Sequence, residues 1–437
     1  MKIANHLIAA AAVLFAAAQV TLAQQSRYAD YERKLGYAVE QFDFLARHGD
    51  HIGFHLANGA DPPFDCKHYQ GIARYDDASG TPWFIVSRSG NDPGTCGVGV
   101  GDDPNGELIF VRMATRDRTG ERMRSNRISA GLPVESTTPP GADRVELSIK
   151  LGLTPGWPAY LHPGGMQIVG DVLVVACEAP KAGSGLAPSA FLFVDLADIT
   201  NPQVLHVLPY PQVTFGAVAA VYDPGTDRFL FAGTGGDSSV VRYFASNTND
   251  LRAGSLSLSQ TGVQTITAPG WEQWQTLNIL RQTDGALFLA VAENTGLAPP
   301  VLNGDDVIRL YSMNQSGVNI STNTTPLMSE VLYSPGSRLG NLAAGSCFHV
   351  TPSAQLILYA VEFERDGPGS TVQVGEYRSF AAAASPGGWI ELYEDEEGWK
   401  SGDRSIIFET ADWAAEGNGS AWCNLEGSGW DNWCGQA

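Results

Sequence analysis

Val172-Leu173-Val174-Val175-Ala176-Cys177 is an unbroken apolar run. Successive side chains of an extended segment point to opposite faces, so this run needs cover on both. Trp83–Ser87, Phe229–Gly233, Leu287–Ala292 and Leu356–Val361 share its character. Each follows a segment that starts on small or glycine-containing residues: Tyr69-Gln70-Gly71-Ile72, Pro163-Gly164-Gly165-Met166, Phe215-Gly216, Trp274-Gln275-Thr276 and Ala344-Gly345-Ser346. Each precedes a third, alternating strand starting near Glu107, Ala190, Ser239, Asp306 or Thr371. Roughly 55–90 residues separate successive units. Asp223-Pro224-Gly225-Thr226 and Thr283-Asp284-Gly285 read as the turns between first and second strands in two of them. One such unit cannot bury both of its faces, whereas units repeated around an axis cover one another. The chain therefore reads as all-β: a propeller of five blades, or six if residues 115–160 hold another. A short N-terminal helix and a small C-terminal β module complete it.

Residues 1–23 read as a secretory signal, with Lys2, an apolar run from Leu7 to Ala18, and Thr21-Leu22-Ala23 at the cleavage position. The expected mature chain starts at Gln24, is secreted (extracellular or periplasmic) and has no transmembrane segment. In residues 24–50, Tyr28, Tyr31, Leu35, Val39, Phe42 and Leu45 recur at helical spacing, giving a helix for the outside or bottom of the ring. Residues 51–384 hold the propeller. His51–Ala57 alternates like a strand and is expected to join the last blade, which closes the ring and removes exposed edges. Ala381–Ala384 and Ser385-Pro386-Gly387-Gly388 form a boundary before the module at 389–437.

The 437 residues include 49 Gly and 25 Pro, and the charged fraction is 17%, which suits turn-rich strands rather than solvated helices. A formal net charge of −20 makes nucleic acid a poor partner and divalent cations better ones. Export makes disulfides admissible. Cys66 and Cys96 flank the first unit, Cys423 and Cys434 lie close together at the end, and both pairs are candidates. Cys177 and Cys347 read as buried free thiols.

Phe191-Leu192-Phe193-Val194-Asp195-Leu196, followed by Asp198-Ile199-Thr200-Asn201-Pro202, resembles the LVIVD-type propeller repeat, which implies a propeller and no particular activity. Ile390-Glu391-Leu392-Tyr393-Glu394-Asp395 and Gly402-Asp403-Arg404-Ser405-Ile406-Ile407-Phe408 resemble the first half of a βγ-crystallin Greek key. Gly429-Trp430-Asp431-Asn432 resembles the start of that family's calcium signature, which implies Asp431 and Asn432 as calcium ligands.

In a propeller, the loops leading into the innermost strands and those leaving the second strands emerge on one face. Here they bring His68, His162, Trp271 and Trp274 together with Arg88, Glu178, Glu293 and Glu362. The ligand-binding candidates are His68, His162, Trp274, Arg88, Glu178, Glu293 and Glu362. Glu178, Glu293 and Glu362 offer the hard oxygen ligands that a divalent cation such as calcium needs. Two carboxylates across a cleft can also act on a glycosidic bond. The Trp faces offer flat apolar surfaces to a sugar. Glutamates at a repeated register can equally accept structural hydrogen bonds between blades. No complete catalytic motif is present. The leading expectation is a secreted binding protein with a ligand face, for carbohydrate or a divalent cation, at the central tunnel. The alternative is a secreted propeller hydrolase using tunnel-facing Glu and His, with or without a metal. Geometry separates them: carboxylates open to solvent favour the enzyme, and carboxylates bonded to neighbouring backbone disfavour it.

Overall fold

The structure is a computed structural model that describes residues 32–46, 50–55, 69–90, 105–113, 144–151, 162–179, 188–235, 240–265, 274–294, 306–313, 327–333, 342, 345–361, 371–379, 406–407, 421–423 and 434–436. A short helix α1 (Ala38–Asp43) precedes strand β1 (Asp50–His55). Blade I is β2 (Tyr69–Asp76), β3 (Pro82–Arg88), β4 (Glu107–Arg112) and β5 (Arg144–Lys150). Blade II is β6 (His162–Val169), β7 (Val172–Glu178), β8 (Ser189–Asp195) and β9 (Gln203–Tyr210). Blade III is β10 (Ala217–Asp223), β11 (Arg228–Thr234), β12 (Val240–Ser246) and β13 (Leu258–Thr265). Blade IV is β14 (Trp274–Arg281), β15 (Leu287–Asn294), β16 (Asp306–Ser312) and β17 (Leu327–Tyr333). Blade V is β18 (Ser346–Val350), β19 (Leu356–Val361) and β20 (Thr371–Arg378), with β1 as its fourth strand. A three-stranded sheet of β21 (Ile406–Ile407), β22 (Ala421–Cys423) and β23 (Cys434–Gln436) follows.

The described residues thus form a five-bladed propeller. The stretch weighed as a sixth blade contributes β5, the outer strand of blade I. The ring closes as the alternation at His51–Ala57 implies: β1 pairs antiparallel with β20, Asp50 opposite Glu376 through His55 opposite Thr371. The second and third strands lie within two residues of where the apolar runs put them.

The double-faced runs explain the architecture. On β7, Leu173, Val175 and Cys177 join the cluster between blades I and II, while Val172, Val174 and Ala176 join the one between II and III. On β15, Leu287, Leu289 and Val291 face blade III, while Phe288, Ala290 and Ala292 face blade V. On β19, Ile357, Tyr359 and Val361 face blade I, and Leu356, Leu358 and Ala360 face blade IV. Five apolar clusters therefore fill five inter-blade spaces. Burial of each large side chain is worth roughly 1.5–3 kcal/mol, and these interfaces hold the ring.

Helix α1 seals the space between blades IV and V. Leu35, Ala38, Phe42 and Leu45 are buried there, and Phe42 stacks on Phe348 at 5.4 Å. Gln41, fully buried beside them, accepts from Leu356 N at 2.7 Å and donates to the Ala354 carbonyl at 2.9 Å.

At the axis the inner strands meet directly. Gly165 N donates to the Gly216 carbonyl at 2.8 Å, and a Cβ on Gly164 would overlap that same carbonyl oxygen, so the glycine-containing starts serve close approach. Gln167 reaches across from β6. Its side chain accepts from Ala220 N and Ile279 N and donates to the Ile279 carbonyl, joining three inner strands. Thr276 Oγ1 and Ser346 bond between β14 and β18, and Phe348 N donates to Asn278 Oδ1. Along these residues the axis is bridged rather than open, so a ligand face belongs at the mouth, where the inner strands start.

Candidate functional site

Strand register builds the mouth. The start of each first strand lies opposite the end of its second strand: Tyr69 opposite Arg88, His162 opposite Glu178, Ala217 opposite Thr234, and Trp274 opposite Glu293. In blade V, Ser346 lies opposite Ala360. The parallel pairing of Ala217 with Gly165 shows that neighbouring inner strands run the same way, so these positions share one end of the ring.

His162 and Glu178 come together there. His162 Nδ1 is 3.7 Å from Glu178 Oε2, with side chains 32% and 20% exposed. Among the described residues, the Glu178 carboxylate meets this imidazole and takes no backbone hydrogen bond. Its other oxygen, Oε1, lies 3.4 Å from where a Cβ would sit on Gly216, so blade III leaves room for it.

Arg88 and Trp274 differ from the expectation of ligand-facing groups. Arg88 is buried and its Nε donates to Glu107 Oε1 at 2.6 Å, directly across the strand pair. A guanidinium at low exposure needs such a partner, since an isolated buried charge is costly. Trp274 is 2% exposed and lies in the core between blades III and IV, with its ring 5.8 Å from Tyr311. The pleat turns it sideways into the blade interface instead of up into the mouth. Thr234 is also buried, donating to the Val240 carbonyl.

Of Glu293 the structure describes the backbone, opposite Trp274. His68, Trp271, Glu362, Asp431 and Asn432 lie outside the described residues, as do Cys66, Cys96 and the 1–23 leader. Cys423 and Cys434 are backbone partners across β22 and β23. Cys177 and Cys347 are free and buried, as their apolar settings suggest, and burial pushes the Cys347 thiol up to about 12. Among the described residues, no group of three or more His, Cys, Asp or Glu stands close enough to hold a metal, and no helix is long and apolar enough to cross a membrane.

Sequence reasoning missed Gln167 and a charged cluster at the opposite end of the inner strands, around Arg33, Asp76 and His349. Gln167 had one signal: a long amide in an otherwise small and apolar inner strand.

The chain matches no protein-family model and no curated protein. It is similar in structure to Zg3597, a family 117 glycoside hydrolase of the marine bacterium Zobellia galactanivorans, at 8% identity and a TM-score of 0.43, covering 80% of this chain and 97% of that one. It is similar also to a GH43 endo-arabinanase from Bacillus licheniformis, at 14% identity and a TM-score of 0.40, covering 79% and 99%. A third is the β-fructofuranosidase of Schwanniomyces occidentalis, at 10% identity and a TM-score of 0.42, covering 86% of this chain and 65% of that one. At these scores the likeness decides nothing about activity, and the fold rests on the chain's own strand pairing.

Proposed function

We propose that the mouth is a carbohydrate site at which this secreted chain cleaves a glycosidic bond, with Glu178 and Glu293 as the carboxylate pair. The observation that carries the reading is the state of Glu178: partly exposed, 3.7 Å from the His162 imidazole, and, among the described residues, free of the backbone bonds that a structural acceptor would make. Glu293 stands at the equivalent end of the second strand two blades on. A pair of carboxylates is what acid–base cleavage of a glycosidic bond needs, and the His162 imidazole beside Glu178 is placed to exchange a proton with it.

A second reading, a binding face without turnover, rests on Glu178 being the one partly exposed carboxylate among the described mouth side chains. The burial of Arg88 and Trp274 leaves His162 and Glu178 as the exposed ionisable pair among the described mouth residues. Calcium enters either reading as a proposal, at Glu178, Glu293 and Glu362 or at Asp431 and Asn432. Nucleic acid does not enter, given the charge of −20.

The test is hydrolysis of arabinan, xylan and fructan oligosaccharides by the mature protein, with calcium and with EDTA. Glu178→Gln is expected to lower the rate by at least about 100-fold while leaving the unfolding midpoint in place. Retention on these glycans without product would establish the binding reading. Undiminished turnover in Glu178→Gln, or a loss of several kcal/mol of stability, would make Glu178 a structural residue.

A further inference from the structure

The inner strands end, opposite the mouth, in a charged cluster crossed by the segment that precedes α1. Glu32 Oε2 is 2.9 Å from Arg281 Nε at the end of β14. Leu35 N donates to the Arg281 carbonyl, and Thr283 N donates to the Leu35 carbonyl. Between these anchors Arg33 reaches inward. One of its terminal nitrogens lies 3.1 Å from His349 Nε2 and donates to the Val350 carbonyl at 3.1 Å. The other is 2.9 Å from Asp76 Oδ2. One guanidinium thus ties the segment to blades V and I, while Glu32 ties it to blade IV.

Arginine donates and never accepts, so the His349 Nε2 that faces it presents a lone pair. His349 is therefore the neutral imidazole, with its proton on Nδ1. The groups around it are Arg33 from the segment, Arg74 and Asp76 on β2, Tyr359 on β19, and Glu376 and Arg378 on β20. That is three guanidiniums against two carboxylates. A proton on Nε2 would remove the acceptor of Arg33 and add charge to the side already in excess. Asp76, 4.0 Å from Nε2, opposes this in part.

We propose that Arg33 and His349 form an acid-released latch, in which protonation of His349 undocks residues 32–46 from the base of the propeller. Burial, then Arg74 and Arg33, hold His349 well below the ordinary histidine range in the docked state. Undocking takes away Arg33 and the cover it gives, while Arg74 stays on β2, so the undocked state binds the extra proton more readily. Docking is complete above the ordinary value of about 6.5 and weakens as pH falls below it, by up to about tenfold per pH unit. Glu32 is a second titrating group: burial pushes its carboxyl up despite the nearby Arg281, so its protonation favours the docked segment as pH falls and opposes the release. The latch lies at the other end of the strands from Glu178 and is independent of what the mouth binds.

The test is hydrogen exchange of the full mature chain at about pH 7.5 and about pH 5.5, corrected for the intrinsic rate, comparing peptides over 35–45 with peptides over β7. The expected result is a rise of severalfold, up to about tenfold, in opening of the segment at the lower pH, with β7 unchanged. His349→Gln keeps an acceptor for Arg33 and should abolish the rise; Glu32→Gln should retain it. Arg33→Met should open the segment equally at both pH values. A flat wild-type response, a rise that persists in His349→Gln, or one that vanishes in Glu32→Gln would overturn the latch. So would an Arg33→Met segment as protected as the wild type at the higher pH, a readout that stands even if His349→Gln does not fold.

Discussion

Ala354 holds a left-handed backbone, φ 60°, in the hairpin between β18 and β19. The same hairpin in the other blades is closed by Gly80, Gly170, Asp227 and Gly285, each also at positive φ. Asp227 is compensated, since its carboxylate accepts from the Tyr222 hydroxyl and from Asn249. Ala354 has only a methyl group, and its αL conformation costs roughly 1–2 kcal/mol. Ala354→Gly removes that strain and returns about half of it as added freedom in the unfolded chain, so a net gain of about 0.5–1 kcal/mol is expected in a urea titration. A lower urea midpoint would mean the strain is absent. Thr283-Asp284-Gly285 marks its positive φ by its glycine, whereas Thr351-Pro352-Ser353-Ala354 announces a turn by its Pro and Ser but not the left-handed residue, because nothing in an alanine marks a positive φ. The mouth shows the same division. His162 and Glu178 could be paired from the ends of their strands. The burial of Trp274 and Arg88 depends on which way a side chain leaves the pleat and on what stands beside it.

Elements are joined here by polar side chains as much as by apolar faces. Arg252, from the loop after β12, lies within 2.6–2.7 Å of Asp195 and Asp171 in blade II, clasping two neighbouring blades. Asp195 ends β8, and its carboxylate also accepts from Ala197 N to start the turn into β9. Gln167 does more, because it satisfies three backbone groups of β10 and β14, the Ala220 and Ile279 N–H groups and the Ile279 carbonyl. Gln167→Met keeps the length of the side chain and drops those bonds. Each buried orphan costs about 1–3 kcal/mol, so a total loss of roughly 3 kcal/mol or more is expected in denaturant unfolding. An effect below about 0.5 kcal/mol would show that water or relaxation replaces the amide.

At the scale of the molecule, five inter-blade clusters require a closed ring, and closure rests on β1 and α1. A chain starting at Tyr69 lacks both. It leaves β20 with an unpaired edge and uncovers Leu280, Phe288, Phe348 and Tyr377. Such a chain is expected to lose its single cooperative thermal transition and to self-associate, as checked by calorimetry and size-exclusion chromatography. A truncated monomer with an unchanged midpoint would show that the ring does not need its clasp. The sequence by itself determined the order of the blades and the strand that closes them, and the tertiary structure decided five blades against six by giving Arg144–Lys150 to blade I. Period-two apolar runs that demand cover on both faces admit few arrangements, and their spacing is local information. Only the tertiary structure decided that the axis is bridged by Gln167, that Trp274 and Arg88 belong to the interior, and that Arg33 docks between Asp76 and His349. Each of these depends on pairs of residues from different blades, up to 316 positions apart for Arg33 and His349, whose meeting is set by the closed ring and not by any local pattern.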